Sequence, residues 1–163
     1  MAKKPKINQK LLKHLATLSL SFLTEGSRVD VVKAKGRVFT GEGVGNQFVR
    51  VVWARKQIKE KLGFDPYLGT LNIRLSERKA KLLKKTLENL KGIEIIPAKG
   101  FFRARCFNAL IMNKIKGAIV IPEKPGYPSN VLEIIAPIYL REALSLKDND
   151  DVEIMIFLGT VKA

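Results

Sequence analysis

A turn-forming cluster that runs straight into an alternating strand is the feature of this chain that most constrains its fold. It occupies residues 63–75, where alternation of polar and apolar residues predicts a strand with one face in the core. Thr70 and Asn72 then share the other face as two neutral oxygens. Such a pair can take part in Mg²⁺ binding if phosphates and water complete the octahedron. The alternative is a strand edge with two solvated polar residues, because such alternation arises readily.

Short β-branched runs separated by brief helical patterns make up the rest of the chain. They predict a mainly β, α+β fold, and a small β-barrel rather than a doubly wound sheet. A P-loop motif is absent, and the glycines at 41, 43 and 45 have the wrong spacing for a dinucleotide fingerprint. Strands are predicted at 29–32, 36–40, 47–53, 93–96, 101–112, 115–121, 131–135 and 151–158, and helices at 54–62, from a Ser76 cap to Leu90, and from Pro137 to Leu144.

Residues 1–28 are predicted to be a basic amphipathic helical extension that precedes a barrel domain at 29–163. Lys13 and His14 interrupt the apolar run there, so a signal peptide is not expected. No stretch approaches the roughly 20 apolar residues that a membrane-spanning helix needs. The apolar residues at helical spacing are Ile7, Leu11, Leu15 and Leu18.

The net charge indicates which kinds of partner this protein could bind, and its cysteine content indicates the cellular compartment. Thirty Lys and Arg against fifteen Asp and Glu give a formal charge of +15, which should attract nucleic acid, nucleotides or anionic membrane surfaces. The single cysteine, Cys106, excludes an internal disulfide framework, is interpreted as a small core residue, and suits a reducing cytoplasm. One His and one Cys also argue against a zinc site built by this chain alone.

Three further features are candidates for anion binding. The glycines at 41, 43 and 45 could expose amides as an anion nest, or they could form a flexible hairpin tip. Residues 137–141 combine a predicted helix start with Arg141, which favours phosphate, although a lone arginine is commonly solvated. The basic run at 78–85 is interpreted as a solvated helix face, with RNA contact as the alternative.

Glu133 is the acid that the pattern singles out. It interrupts an apolar run at 131–135, where an unpaired charge would be unfavourable, so it should have either a partner or a chemical role. A structural partner such as a nearby lysine is the alternative to a role in the site.

Three separated motifs occur in one order, and together the chain from about Lys35 to Val161 resembles the archaeal CTP-dependent riboflavin kinases. The strings at 66–72 and 133–137 are the specific ones, and the glycine run would be weak without them. The motifs are Gly36-x-Val38-x-x-Gly41-x-Gly43-x-Gly45, Leu62-Gly63-Phe64-Asp65-Pro66-Tyr67-x-Gly69-Thr70-Leu71-Asn72 and Gly117-Ala118-Ile119-Val120-Ile121-Pro122, followed by Leu132-Glu133-Ile134-Ile135-Ala136-Pro137, Leu140-Arg141-Glu142 and Leu146-Lys147-Asp148.

The resemblance implies a small cradle-loop β-barrel with short peripheral helices. We expect a monomer. The resemblance also implies Mg²⁺ at Thr70 and Asn72 and a flavin contact at Glu133. A second flavin contact is usually a threonine, but Pro125 stands at that position here, and Tyr127 or Ser129 could substitute for it. The implied nucleotide site for CTP or CDP comprises Glu42, Gly43, Val44, Gly45, Asn46, Gln47, Ile138, Tyr139, Leu140 and Arg141.

The function implied by the resemblance is transfer of the γ-phosphoryl group of CTP to the 5′-hydroxyl of riboflavin, giving FMN and CDP. Phosphoryl transfer asks mainly for positioning and charge neutralisation, so a scarcity of histidines and paired acids is compatible with it. Glu133 is the candidate for orienting the hydroxyl or accepting its proton. The alternatives are a non-enzymatic basic nucleic-acid-binding barrel and a flavin-binding relative without kinase activity.

Overall fold

The computed structural model describes residues 28–42 and 44–161. The chain divides into two units, one of residues 31–158 and one of residues 1–30 with 159–163, and the site lies in the first. The predicted N-terminal helix lies outside the described residues. In the described part, no helix is long and apolar enough to cross a membrane.

Seven strands and four helices are formed by the described residues. The strands are β1 (Arg28–Phe39), β2 (Leu71–Arg74), β3 (Ile93–Ile95), β4 (Ala104–Ile111), β5 (Ile115–Pro122), β6 (Val131–Ile135) and β7 (Asp151–Val161). The helices are α1 (Val44–Arg50), α2 (Val52–Leu62), α3 (Glu77–Leu87) and α4 (Leu140–Ala143).

Six of these strands close into an antiparallel barrel. Their order is β4-β5-β6-β2-β1-β7, and the ring closes because β4 also pairs with β7. Strand β4 uses residues 109–111 against β7 and residues 104–106 against β3, so β3 extends the sheet outside the ring. Closure removes the exposed edges that an open sheet would leave. The predicted mainly β barrel is therefore confirmed.

Alternation along each strand separates the barrel interior from its outer face. Leu71, Ile73 and Leu75 are buried in the interior, as the alternating pattern predicts. On β6, Leu132 and Ile134 join the same interior cluster, whereas Ile135 joins a second one. Because successive side chains of a strand point to opposite faces, Glu133 must lie on the outer face with Ile135.

The second cluster covers part of the outer face with helices α1 and α2. Val49, Ala54 and Ile58 from these helices are buried in one cluster with strand residues that include Val120 and Cys106. Burial raises the pKa of the Cys106 thiol to about 12, so this thiol stays protonated. The interpretation of Cys106 as a core residue is confirmed.

The prediction of a strand at 47–53 is wrong, because this segment belongs to helices α1 and α2. Its valines favour a strand locally, but the outer face of the barrel needs cover, and a helix can bury Val49 there while Gln47 and Arg50 stay exposed. The hairpin tip considered for the glycines also fails, since Val44 already begins α1.

The predicted helix from Pro137 is shorter than expected. Helix α4 spans only Leu140–Ala143, and Tyr139 is its N-cap residue, so Pro137 lies ahead of the helix rather than in its first turn. A helix this short has only a small dipole. Phosphate binding at 137–141 would therefore depend on side chains and not on the helix N-terminus.

Helix α3 begins where the sequence predicts. The Ser76 hydroxyl oxygen accepts a hydrogen bond from the Lys79 amide at 3.4 Å, and Ala80, Leu83 and Leu87 form the buried stripe. The capping and the apolar periodicity are both local, and both are confirmed, although α3 ends at Leu87 and not at the predicted Leu90.

We expect Ser76→Ala to lower the free energy of unfolding by about 0.5–1 kcal/mol, the lower part of the range for a lost N-cap, because the capping bond is long. For a chain of this size that corresponds to a fall in Tm of about 1–4 °C. Thermal and urea unfolding measure it, with Ser129→Ala in an exposed loop as the matched control. Equal shifts in the two variants would show that the cap contributes nothing specific.

Candidate functional site

A cleft of about 440 Å³ opens where β1 ends beside β2 and the segment that leads into α4. Its walls come from stretches of the chain that are far apart in sequence. The lining residues are 39–41, Arg50, 67–72, Ile134, Ala136 and 138–141. The cleft therefore gathers the predicted metal pair and the predicted nucleotide residues at 138–141 into one place.

Thr70 and Asn72 both line this cleft, at the start of β2. The backbone of Gly41 packs closely here, since a Cβ at that position would lie 2.6 Å from the Asn72 amide nitrogen. A glycine at 41 thus allows the end of β1 to pass the Asn72 side chain.

Among residues 28–42 and 44–161, no three His, Cys, Asp or Glu side chains cluster as a metal site. The side chains that line the cleft and carry oxygen are those of Thr40, Tyr67, Thr70, Asn72 and Tyr139. Neutral oxygens such as those of Thr70 and Asn72 suit Mg²⁺ when phosphates supply the remaining ligands.

Glu133 is placed beside Asn72 by strand register. Asn72 is the cross-strand partner of Phe39 on β1 and of Glu133 on β6, and Glu133 is in turn the partner of Val120 on β5. Directly opposed residues on antiparallel strands project from the same face at Cα separations of about 4.5–5.5 Å. Glu133 does not line the cleft itself, but it lies one strand away from a residue that does.

The Glu133 carboxylate is buried and has a tyrosine as its partner. Only 8% of its surface is exposed, and the Tyr127 hydroxyl donates a hydrogen bond of 2.5 Å to its Oε1 atom. The lysine considered from the sequence is not the partner. Among the described residues, Tyr127 is the side-chain hydrogen-bond partner of this carboxylate, through Oε1.

Burial decides the electrostatics of this pair. Burial raises the pKa of Glu133 above its ordinary value, and the hydrogen bond from Tyr127 opposes that rise. Burial and the neighbouring carboxylate also raise the pKa of the Tyr127 hydroxyl, so this hydroxyl remains a donor. A carboxylate with a raised pKa is a stronger proton acceptor than an exposed one.

The loop between β5 and β6 carries the residues that could replace the missing threonine. Pro125 and Ser129 are exposed in this loop, and Tyr127 is the residue that reaches Glu133. Flavin contact by Pro125 stays a prediction. Of the two substitutes considered, Tyr127 is the one that this geometry favours.

Arg141 is held at the cleft by a network of charged and hydroxyl groups. Its Nη2 atom lies 2.8 Å from Asp148 Oδ1 and donates at 3.3 Å to the Thr40 hydroxyl, which itself donates to Asp148. Hydrogen bonds from Arg141 and then Thr40 lower the pKa of Asp148, so the carboxylate stays ionised. Arg141 is thus a positioned cation rather than a freely solvated one.

Two stacked tyrosines, Tyr67 and Tyr139, form part of the cleft wall. The rings of Tyr67 and Tyr139 stack with centroids 5.0 Å apart and planes at 25°, and both rings are partly exposed. The Tyr67 amide donates to the Ala136 carbonyl at 2.8 Å, which ties the two wall segments together. Tyr139 belongs to the predicted nucleotide site. Tyr67 occurs in the motif at 62–72, but the sequence did not predict a role for it.

The remaining predicted nucleotide residues, 42–47, fall in the sequence between Gly41 and Arg50, which both line the cleft. Glu42 is exposed, Gly43 lies outside the described residues, and 44–47 form the first part of α1. Arg50, which the sequence did not single out, ends α1 in the cleft and forms no ion pair with the described residues. Nucleotide contact by residues 42–47 stays a prediction.

Comparison with known proteins adds an independent finding. The family model CTP-dep_RFKase, described as a domain of unknown function (DUF120), matches residues 38–156. The riboflavin kinase of Archaeoglobus fulgidus is 43% identical over 131 residues, which cover 78% of this chain and 55% of that protein. The riboflavin kinase of Methanococcoides burtonii is 41% identical over 133 residues, covering 78% and 58%.

A shorter relative matches almost end to end. The riboflavin kinase of Sulfurisphaera tokodaii is 39% identical over 135 residues, which cover 80% of this chain and 99% of that protein. The chain therefore spans just over half the length of the first two relatives and nearly the whole of the third.

Proposed function

The chain belongs to the CTP-dependent riboflavin kinase family, and from that premise we propose that it transfers the γ-phosphoryl group of CTP to the 5′-hydroxyl of riboflavin, giving FMN and CDP. The observation that carries the proposal is the convergence of separate motifs on one cleft. Thr70, Asn72 and Arg141 line it together, and Glu133 lies on the strand next to Asn72.

The cleft suits a nucleoside triphosphate in size and in charge. Its volume of about 440 Å³ lies within the usual range for small-molecule sites. Arg50 and Arg141 supply positive charge, and the Asp148 and Thr40 bonds hold the Arg141 guanidinium in place. A positioned guanidinium suits phosphate oxygens because its donors form a planar fork. The exposed faces of Tyr67 and Tyr139 offer a surface on which a base could stack.

Thr70 and Asn72 would hold Mg²⁺ together with the phosphates of the nucleotide. The bound ion would neutralise charge on the phosphates and help align them. The two side chains contribute neutral oxygens, so the negative charge in the ion's shell would come from the substrate.

Glu133 is proposed to act on the acceptor hydroxyl. The 5′-oxygen of riboflavin would attack the γ-phosphorus, the bond from the γ-phosphorus to the β–γ bridging oxygen would break, and CDP would leave with that oxygen. The proton of the 5′-hydroxyl would pass to the Glu133 carboxylate. Tyr127 occupies Oε1 as a hydrogen-bond donor, so it would direct Oε2 toward the hydroxyl.

Incubation of the full chain with riboflavin, Mg²⁺ and each of CTP, ATP, GTP and UTP, followed by chromatography for FMN, tests the proposal. FMN should form with CTP in preference to the other three. Formation with ATP at an equal rate would reject the CTP preference and leave the kinase proposal standing. No FMN with any nucleotide would reject the kinase, and a flavin fluorescence titration would then decide whether the barrel binds riboflavin without phosphorylating it.

The stacked rings of Tyr67 and Tyr139 lead to a prediction for nucleotide affinity. Tyr139→Ala should raise the KM for CTP by about tenfold with little change in kcat, because base stacking on an aromatic ring contributes about 1–3 kcal/mol. Tyr139→Phe keeps the ring and should stay close to wild type. Phe101→Ala, on an exposed aromatic outside the cleft, is the control for loss of a surface ring. A normal KM in Tyr139→Ala would remove this ring from the nucleotide site.

A further inference from the structure

A second cavity, of about 490 Å³, lies between β1, β2 and the start of α3. It adjoins the first cleft, since Phe39 contributes to the walls of both. Four cations and one carboxylate line it, which leaves a formal charge of +3. The charged residues are Lys35, Arg37, Arg74, Lys79 and Asp151.

The carboxylate compensates little of this charge. Asp151 lies 3.3 Å from Lys35 Nζ and 3.9 Å from Arg37 Nε, and the side chains of all three are at least half exposed. Exposed ion pairs of this kind contribute little to stability because water screens them. Within the described ranges, neither Arg74 nor Lys79 forms an ion pair.

Two of the cations face each other directly. Arg37 and Arg74 are cross-strand partners on β1 and β2, and both are exposed. Like charges directly opposite on a sheet are destabilising. The Arg74 guanidinium lies 4.2 Å from the centroid of the Phe39 ring, which holds it beside the cavity without neutralising it. An anion in the cavity would relieve this repulsion.

The positive surface continues along helix α3. Lys79 belongs both to the cavity and to the exposed side of this helix, which is about 16 Å long at 1.5 Å per residue. Such a length exceeds what a single phosphate can contact. The other exposed cations of the helix are Arg78, Lys81, Lys84 and Lys85.

We propose that this basic surface, the cavity cations together with those of α3, binds the phosphodiester backbone of single-stranded nucleic acid. Repeated phosphates match a surface with many cations, and counterion release makes such binding favourable at low salt. The surface includes a concave part, which a flexible single strand can enter more readily than a stiff duplex. This binding function is separate from phosphoryl transfer.

An anionic membrane is the less suitable partner. The apolar residues that line the cavity, Val38, Phe39 and Leu75, are buried or half-buried. The cavity therefore projects no apolar side chain for insertion among lipids. On α3 the exposed large apolar side chain is Leu82, at 66%, and one leucine does not form the apolar face that a surface-bound membrane element requires.

Fluorescence anisotropy with a labelled oligouridylate, measured between about 50 and 200 mM salt, tests the proposal. The test variant is Lys35→Gln/Arg37→Gln/Lys79→Gln. The control, Lys59→Gln/Lys99→Gln/Lys114→Gln, removes the same charge from exposed positions outside the cavity and α3. Thermal melts of both variants verify folding.

Wild type should bind with a steep salt dependence. The test variant should bind at least about tenfold more weakly, and the slope of log K against log salt should be shallower by about 2, because each lost contact with a single strand removes about 0.7. The control should keep the wild-type slope. FMN formation from CTP, measured in parallel, should be equal in both variants, and because anisotropy needs no catalysis the two functions fail independently.

Equal losses in the two variants would overturn the proposal, since they would show a diffuse field instead of a site. Absence of wild-type binding at the lowest salt would also overturn it. So would cavity-dependent binding to phosphatidylserine vesicles without binding to the oligonucleotide, which would assign the surface to a membrane.

Discussion

Glu133→Gln should lower the kcat of FMN formation by about 10²- to 10⁴-fold, the range for loss of a general acid–base residue. The amide keeps the shape of the side chain and can still accept the Tyr127 hydrogen bond, but it cannot take the hydroxyl proton. Riboflavin affinity should change much less than kcat, because the amide can still hydrogen-bond to the flavin.

The same substitution should leave stability intact at neutral pH. Because burial raises the pKa of Glu133, the folded state binds its proton more tightly than the unfolded state does. The resulting contribution to stability is complete below the unfolded pKa and is lost as pH rises through the folded pKa. At a pH where the buried carboxylate is ionised it opposes folding, so Glu133→Gln should melt no lower than wild type there.

Steady-state FMN production, thermal melts and flavin titration separate these effects. Glu153→Gln, on an exposed part of β7, is the matched control and should behave as wild type in all three. Glu133→Leu distinguishes packing from chemistry, since it removes both the charge and the hydrogen bond. A near-normal kcat in Glu133→Gln would reduce Glu133 to a structural role, whatever Glu133→Leu does to stability.

Asn72→Ala should lower turnover by at least about 10- to 100-fold, the loss seen even for residues that only support a metal ligand. The proposed ion acts on phosphates and not on the isoalloxazine ring, so riboflavin binding should be largely retained. Thr70→Val, which keeps the shape of the side chain but removes its hydroxyl, should behave similarly.

Titration of activity with Mg²⁺ identifies the cause of the loss. A weakened metal site should show a higher Mg²⁺ requirement, which a folding defect would not. Asn108→Ala, at an exposed position of β4, controls for removal of a strand asparagine. Wild-type turnover in either site variant, together with an unchanged Mg²⁺ requirement, would contradict the assignment of the metal to Thr70 and Asn72.

Local sequence patterns were sufficient for much of the barrel. Alternation placed Leu71 and Ile73 in the interior and Asn72 on the opposite face, because successive strand residues necessarily point to opposite sides. The Ser76 cap and the α3 stripe were predictable for the same reason, since both involve residues within a few turns of one helix. The need of Glu133 for a partner also followed from its apolar neighbours.

Local patterns failed where long-range packing opposed them. The valines near 49–52 favour a strand, yet the residues form helices because the outer face of β3 to β6 had to be covered. No sequence pattern within the segment itself indicates that the outer face must be covered. The prediction failed because the free energy of burial came from strands more than 40 residues away in sequence.

The class of fold, the faces of the strands and the identity of the unusual acid all follow from the sequence alone. The pairs of groups that meet are seen only in the folded protein: Tyr127 with Glu133, Arg141 with Asp148 and Thr40, and Tyr67 with Tyr139. Periodicity and capping arise within one element, so a sequence displays them directly. Partner choice depends on strand register and on where loops return to the barrel, and those follow only from closing six strands into one ring.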